Sequence, residues 1–207
     1  MTKKNSSDES LLIIFYRNPE LGKVKTRLAA SIGDAKAFAI YLLLAQHTRN
    51  ITDGLPQQKA LYYSDYIDTE DVWSNQKFQK FMQSGEDLGD KMHNAFQVGF
   101  NFGYKSICII GTDCLDLTEQ IIAEAFQHLM THDVVIGPAA DGGYYLLGMN
   151  SLHESFFKNK AWSTESVLTH TLHDANSAGL SVFQLQVLTD IDRVEDLPAN
   201  LSGLSHF

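Results

Sequence analysis

The sequence predicts an α/β protein whose mainly parallel sheet is covered by helices on both faces. Short runs rich in Ile, Leu and Val alternate with longer segments in which apolar residues recur at helical spacing. Such runs are typical of parallel strands buried on both faces, and the alternation is typical of parallel crossovers. The chain has 207 residues, 44% of them hydrophobic. We therefore expect residues 10–207 to form a single domain with a large core, preceded by a disordered segment at residues 1–9.

The predicted elements follow one another with short connections. Strands are predicted at residues 11–16, 59–63, 106–110, 134–136, 144–147 and 181–188. Helices are predicted at residues 34–48, 88–102, 118–130 and 165–178. Asp34 is a candidate cap for the first of these helices, and Thr118 fits the start of the third.

Charge and composition exclude several classes of function. The formal net charge is −9, so a general affinity for nucleic acid is not expected. Residues 1–10 are polar, unlike a secretory leader, and no apolar run approaches the roughly 20 residues that span a bilayer. We expect a cytoplasmic protein with no membrane partner, in which Cys108 and Cys114 are reduced.

The loop after the first predicted strand reverses the overall charge. Four cations stand against Glu20 alone, and they are Arg17, Lys23, Lys25 and Arg27. With Gly22 allowing close backbone approach and a helix following, the loop is suited to hold a phosphate chain. A solvated surface loop would have the same composition, and charge alone does not decide between the two. The spacing matches neither a P-loop nor a Gly-x-Gly-x-x-Gly motif, which excludes those two modes of nucleotide binding.

Carboxylates follow three other predicted strands. Asp113 follows the third strand, Asp141 begins an Asp-Gly-Gly sequence after the fourth, and Asp190 and Asp192 follow the last. Ligands of such sheets bind beyond the carboxyl ends of the strands, where carboxylates can hold Mg²⁺ or Mn²⁺ beside phosphates. Each position also has a structural alternative, namely a helix cap, a turn or a solvated acidic surface.

Taken together, these loops resemble the DUF2064 family, a group within the nucleotide-diphospho-sugar transferase (GT-A) superfamily. The matching blocks are Asn18-Pro19-x-x-Gly22-x-Val24-Lys25-Thr26-Arg27-Leu28, Asp87-Leu88-Gly89, Gly111-Thr112-Asp113-Cys114, Gly137-Pro138-x-x-Asp141-Gly142-Gly143-Tyr144-Tyr145-Leu146-Leu147-Gly148, Trp162-Ser163-Thr164 and Asp190-x-Asp192. The resemblance extends over about residues 11–197. Arg17 and Leu115 depart from it, because the family usually has Lys and Pro at these positions.

The resemblance implies a three-layer α/β/α fold with a central mixed sheet, a bound nucleotide and a divalent cation, Mg²⁺ or Mn²⁺. The implied nucleotide-binding residues are Arg17, Gly22, Lys23, Lys25, Thr26, Arg27, Gly142, Gly143 and Tyr144. Asp113 and Asp192 are the implied metal ligands, and Asp141 to Tyr144 would border the sugar or acceptor. Lys25, Asp113 and Asp141 are the implied catalytic residues.

Our hypothesis is a Mg²⁺-dependent transferase that moves a nucleotidyl group from a nucleoside triphosphate to a small phosphorylated or hydroxyl acceptor. The strongly basic loop favours a triphosphate, because three phosphates need more cations than two. One alternative is a glycosyltransferase that uses a nucleotide sugar. Another is a non-catalytic nucleotide sensor, and a third is an interaction module without nucleotide affinity. The sequence leaves open whether the protein is a monomer or a homodimer.

Overall fold

A computed structural model describes residues 9–202 of the chain. The strands are β1 (Ser10–Tyr16), β2 (Gln58–Tyr63), β3 (Gln79–Met82), β4 (Ser106–Ile110), β5 (Val134–Pro138), β6 (Tyr144–Met149) and β7 (Val182–Gln184). The helices are α1 (Thr26–Ile32), α2 (Asp34–Asp53), α3 (Leu88–Asn101), α4 (Glu119–His128), α5 (Val167–Ser177) and α6 (Ala199–Ser202). Of the predicted disordered segment, residues 1–8 lie outside the described part, and the Glu9 carbonyl accepts a hydrogen bond from the Lys105 amide at 2.7 Å.

The strands form one sheet in the order β3-β2-β1-β4-β6-β5-β7. The pairings of β1 with β2 and β4, of β2 with β3 and of β5 with β7 are parallel, and β6 runs antiparallel to both its neighbours. The predicted class, an α/β protein with a mainly parallel mixed sheet, is therefore confirmed. Because β1, β4, β5 and β7 run in the same direction, the loops that follow them lie at one edge of the sheet.

Helices cover both faces of the sheet, as predicted. Alternate side chains of β1 point to opposite faces. Leu12 and Ile14 belong to one apolar cluster with residues of α2 and α4, whereas Leu11 and Ile13 belong to another with residues of α3 and α5. These clusters are the two halves of the core and produce the three layers. Within residues 9–202, no helix combines the length and the apolar character needed to cross a bilayer.

The predicted elements omit α1 and α6, and three further details are wrong. The last strand is shorter than residues 181–188, since beyond Gln184 the chain follows β5 only through separate bonds such as Leu188 N to Pro138 O at 3.1 Å. The cap of α2 is Gly33, whose φ of +84° separates α2 from α1, and Asp34 is the first helical residue. The sequence also failed to predict β3, because this edge strand lacks a continuous apolar run.

A buried ion pair holds the long excursion between β2 and β3 against the sheet. Lys80 of β3 donates from Nζ to Asp71 Oδ1 and to the Asp68 carbonyl, both at 2.7 Å. The Tyr63 hydroxyl donates to the other Asp71 oxygen. The side chains of Lys80 and Asp71 are only 6% and 12% exposed. These bonds hold the excursion against the core, where its own residues Trp73 and Phe78 are almost completely buried.

Lys80→Met is expected to lower the free energy of unfolding by about 3–5 kcal/mol, because it leaves the buried Asp71 carboxylate without its cation. Urea unfolding measures this loss. The matched control is Lys77→Met, which removes a lysine whose pair with Asp53 is about half exposed and should cost at most about 1 kcal/mol. Equal losses in the two variants would contradict a structural role for the buried pair.

Candidate functional site

The cationic loop and the first of the carboxylates meet where the strand order reverses. β1 is flanked by β2 and β4, so the connections after β1 and β4 leave the sheet on either side of a crevice. In open α/β sheets, such a crevice is the usual ligand site. The Lys25 Nζ atom lies 2.8 Å from Asp113 Oδ1 across it. The structure thus brings together two residues that are 88 positions apart in the sequence.

A small apolar cluster beneath the charges explains why these loops converge. Leu28 of α1 and Ile191 are buried in it, together with residues of α2, and Leu115 packs against it. In addition, the Ile191 amide donates to the Asp113 carbonyl at 2.9 Å. Leu115 therefore anchors the Asp113 loop by packing. The cluster fixes the backbone on which the charged side chains are mounted.

The first half of the cationic loop is attached to the fold by Asn18. Its buried side chain donates to the Tyr66 carbonyl at 2.9 Å and accepts from the Asp65 amide at 3.0 Å. The Tyr41 hydroxyl donates to the carbonyl of the preceding residue, Arg17. The Arg17 side chain is exposed and forms no ion pair within residues 9–202. Its guanidinium is therefore available to a ligand.

A tight turn explains Gly22 and places Lys23. The Lys23 amide donates to the Glu20 carbonyl at 3.0 Å, and Gly22 has a φ of +79° at the turn position that favours glycine. The Lys23 ammonium pairs with the Glu20 carboxylate at 2.7 Å. The structure therefore gives Gly22 a conformational role and brings Lys23 to the turn rather than to Asp113.

The second half of the loop passes directly into α1. Lys25 caps this helix with a φ of +49°, a left-handed conformation that is uncommon for a residue with a side chain. Thr26 is the first residue of α1 and is exposed. Arg27 Nη1 lies 2.9 Å from Asp192 Oδ2. The last two cations of the loop thus each face a carboxylate from a different part of the chain.

Asp190 is a candidate carboxylate of the sequence that the family resemblance did not assign as a metal ligand. Its pKa is raised to about 7, mainly because the group is buried and then because Asp113 and Asp141 lie near it. Lys25 and the Cys114 thiol oppose the shift. Of the predicted metal ligands, Asp113 therefore lies near Asp190, whereas Asp192 is paired with Arg27. The spacing in Asp190-x-Asp192 does not distinguish these two environments.

The turn after β5 presents Asp141 at the same edge of the sheet. Asp141 Oδ1 accepts from the Gly143 amide at 2.9 Å, which orients the exposed carboxylate. Gly142 has a φ of +87°, and a Cβ built on it would lie 2.3 Å from the Glu165 carbonyl oxygen. Tyr144 points away from this turn into the cluster beneath α3 and α5, where its hydroxyl has no partner within residues 9–202.

Two motifs without an assigned role in the sequence contact each other. A Cβ on Gly89, in the first turn of α3, would lie 2.5 Å from Trp162 Nε1. The Trp162 indole thus occupies the space that a side chain at position 89 would fill. Three residues after Trp162, the Glu165 backbone packs against Gly142. The Leu168 amide then donates to the Gly142 carbonyl at 3.0 Å. This segment therefore connects the start of α3 to the Asp141 turn.

The donor set fits a hard divalent cation shared with a ligand. Within residues 9–202, no three His, Cys, Asp or Glu side chains are placed to hold a metal ion on their own. Mg²⁺, however, is commonly bound by one or two carboxylates together with substrate phosphates and water. Asp113 and Asp190 offer two such carboxylates, and the Lys25 ammonium already occupies a cation position against Asp113.

Gly142→Ala is expected to destabilise the protein more than Gly103→Ala. Both glycines have a positive φ, +87° and +90°, so alanine costs about 1–2 kcal/mol at either position. Only Gly142 faces backbone at overlapping distance, whereas nothing lies within 4 Å of a Cβ on Gly103. We expect about 1–3 kcal/mol of additional loss at Gly142 in urea unfolding. The same loss in both variants would mean that the contact with Glu165 is not tight.

Asp190→Asn is expected to remove a pH dependence of stability. Between about 3.9, the pKa of an unfolded aspartate, and about 7, the folded chain keeps a proton that the unfolded chain releases. The free energy of unfolding therefore falls as the pH rises through this window. The variant should gain more stability relative to the parent at pH 8 than at pH 5, as measured by urea unfolding. Asp192→Asn is the control, and an equal gain at both pH values would contradict the assignment.

Comparisons with known proteins agree with this architecture. The DUF2064 family model, described as an uncharacterized protein conserved in bacteria, matches residues 49–164. No curated protein matches the chain. Among solved structures, a "putative nucleotide-diphospho-sugar transferase" from Desulfovibrio desulfuricans G20 is 32% identical with a TM-score of 0.85. The match covers 91% of this chain and 84% of that one.

More distant structures share the fold alone. The inositol-1-phosphate CTP transferase from T. maritima is 13% identical with a TM-score of 0.55, over 96% of this chain and 95% of that one. A cytidylyltransferase from Leptospira borgpetersenii serovar Hardjo-bovis (strain JB197) is 16% identical with a TM-score of 0.56, over 97% and 88%. Since the family model covers more than half of the chain and the Desulfovibrio protein matches nine-tenths of it, this protein has the nucleotide-diphospho-sugar transferase fold and belongs to the DUF2064 family.

Proposed function

We propose that this protein is a nucleotide-utilising transferase that moves a nucleotidyl group from a nucleoside triphosphate to a hydroxyl or phosphate oxygen of a small acceptor. The observation that carries the proposal is the 2.8 Å contact between Lys25 and Asp113 across the crevice. It places a cationic loop on one wall and carboxylates on the other. This arrangement suits a metal-bound phosphate chain, in which negative oxygens face the cations and the metal faces the carboxylates.

The comparisons support the same class of function. The relative from Desulfovibrio desulfuricans G20 is named as a nucleotide-diphospho-sugar transferase, and the two more distant structures are named as a CTP transferase and a cytidylyltransferase. Each of these names describes the use of a nucleotide or nucleotide sugar. These names support a nucleotide as the partner of this chain, and we propose nucleotidyl transfer as its reaction.

In the proposed complex, the first loop holds the phosphate chain. Arg17 contributes a guanidinium free of any ion pair within residues 9–202, and Lys25 and Arg27 contribute charges at the crevice. Lys23, at the turn, and Thr26, at the start of α1, lie between Arg17 and Arg27 in the same loop. Charge-assisted hydrogen bonds from these groups would fix the position of the nucleotide.

Mg²⁺ or Mn²⁺ is the proposed cofactor. Asp113 and Asp190 are the residues that would hold it, and Asp192, named by the family pattern, would contribute only after leaving Arg27. When bound, the cation neutralises phosphate charge and withdraws electrons from phosphorus. Burial of Asp190 beside Asp113 disfavours its ionised form in the free protein, and a cation between the carboxylates would reverse that preference.

The proposed transfer needs little covalent help from the protein. An acceptor oxygen forms a bond to the α-phosphorus while the bond from that phosphorus to the bridging oxygen breaks, and pyrophosphate leaves. The acceptor proton passes to solvent or to the exposed Asp141 carboxylate, which is held by the Gly143 amide. Lys25 and Arg27 neutralise the charge that grows on the pyrophosphate. Positioning and charge stabilisation of this kind account for most of the catalysis in phosphoryl-type displacements.

Glycosyl transfer is the second candidate, and the name of the Desulfovibrio desulfuricans G20 relative favours it. In that reaction the acceptor attacks the anomeric carbon of a nucleotide sugar, and a nucleoside diphosphate leaves. The same cations would hold the departing diphosphate, and the turn from Asp141 to Gly143 would border the sugar. The two reactions therefore differ in the leaving group rather than in the residues used.

Identification of the leaving group decides between the two reactions. The purified protein is incubated with Mg²⁺, a panel of small phosphorylated and hydroxyl acceptors, and either the nucleoside triphosphates or a set of nucleotide sugars. We expect pyrophosphate release from a triphosphate, and its loss by at least about 100-fold in Asp113→Asn, since a metal ligand and charge partner is removed. Asp116→Asn, an exposed aspartate three residues away, is the matched control and should retain activity. Nucleoside diphosphate release from a nucleotide sugar would establish the second candidate, and absence of nucleotide binding would overturn both.

A further inference from the structure

The Lys25 ammonium is withdrawn from the position in which it would meet a phosphate from solvent. Its side chain is 6% exposed, whereas the Asp113 side chain that it contacts is 48% exposed. The Lys25 side chain is therefore buried beneath the Asp113 carboxylate, which remains about half exposed to solvent. A lysine whose only role was to capture phosphate would gain nothing from burial against an anion, because the contact must be broken before the phosphate is held.

Lys25 is also the cation that opposes the acidic side of the site. Asp113 and Asp141 raise the pKa of Asp190 and Lys25 lowers it, so each of the three lies within electrostatic range of Asp190. Arg27 is paired with Asp192 instead. When ionised, three carboxylates and one ammonium leave this group with two excess negative charges. Removal of the ammonium would make the carboxylates still more attractive to another cation.

The surrounding structure fixes the backbone at Lys25. The neighbouring Val24 and Leu28 are buried, and the Lys25 carbonyl accepts from the Ala29 amide at 2.8 Å. Its left-handed φ of +49° persists because the surrounding structure imposes it. The flexible four-carbon stem of lysine lets the ammonium change partners without moving this backbone.

We propose that Lys25 is the internal counter-ion of the cation site: its ammonium neutralises Asp113 in the free protein and turns to the nucleotide phosphates when a divalent cation is bound. The inference rests on the proposed function and adds a second role to a residue already expected to contact phosphate. The ammonium has three N–H donors, but a divalent cation bound at Asp113 repels it from that carboxylate. A cation that takes over Asp113 therefore releases Lys25 for the nucleotide, and a nucleotide that takes Lys25 releases Asp113 for the cation. By linkage, each ligand strengthens the binding of the other.

This role predicts opposite effects of one substitution. Lys25→Met removes the competitor for Asp113 and also removes a phosphate contact. We expect the variant to bind Mn²⁺ alone about fivefold or more tightly than the parent, and to bind a nucleoside triphosphate without metal about fivefold or more weakly. Mn²⁺ binding is followed by electron paramagnetic resonance and nucleotide binding by calorimetry, so neither readout depends on turnover.

The matched control is Arg27→Met, which removes a cation of the same loop whose partner is Asp192 rather than Asp113. It should weaken nucleotide binding without tightening Mn²⁺ binding, and circular dichroism establishes that both variants are folded. If Mn²⁺ binding tightened equally in the two variants, the loss of any cation from the loop would explain the effect, and the inference would be overturned. Nucleotide binding by the parent with no gain in Mn²⁺ affinity in Lys25→Met would overturn the inference alone. A parent protein that binds neither ligand would overturn the proposed function as well.

Discussion

The site depends on keeping opposite charges face to face across the crevice between β1 and β4. Lys25 and Asp113 lie in the segments that follow the adjacent parallel strands β1 and β4, so the topology brings both to the same edge of the sheet. Topology alone does not hold two loops within hydrogen-bond distance, and one ion pair whose carboxylate is about half exposed contributes little stability. The apolar cluster that contains Leu28 and Ile191 provides the missing constraint, because it buries a residue close to each charged group. The charged side chains therefore extend from backbone that is held by buried apolar residues rather than from unsupported loops.

The carboxylates at this edge share a chemical type but differ in environment. Asp141 is exposed and oriented by a turn, Asp192 is paired with an arginine, and Asp190 is buried near Asp113. Only the last of these environments strongly disfavours a negative charge, and it becomes favourable when a cation is bound beside it. In the free protein, a negative charge is thus destabilised at the place where the proposed ligand brings positive charge. Ionisable groups with shifted pKa values are typical of functional sites.

The order of the elements and the edge that carries the site could be predicted from the sequence, because apolar periodicity and the loop motifs report them directly. The rest depends on contacts between distant residues. Nothing in Asp190-x-Asp192 indicates which aspartate meets Arg27, since both flank the buried Ile191 in the same way. The contact of Gly89 with Trp162 joins two motifs 73 residues apart, and no local pattern predicts it. The left-handed backbone of Lys25 was equally hidden, because lysine has no preference for that conformation. The edge strand β3 escaped prediction because its partly exposed residues need no apolar run.

The central claim is that a metal-bound phosphate chain lies between the cationic loop and the carboxylates. A crystal structure of the protein with Mn²⁺ and a non-hydrolysable nucleoside triphosphate analogue tests it most directly, because the anomalous signal locates the manganese independently of the phosphates. The account predicts manganese within ligand distance of Asp113, phosphate oxygens on the Lys25 and Arg17 side chains, and an ammonium that no longer contacts Asp113. An analogue bound elsewhere on the molecule, with Lys25 still paired to Asp113, would contradict it.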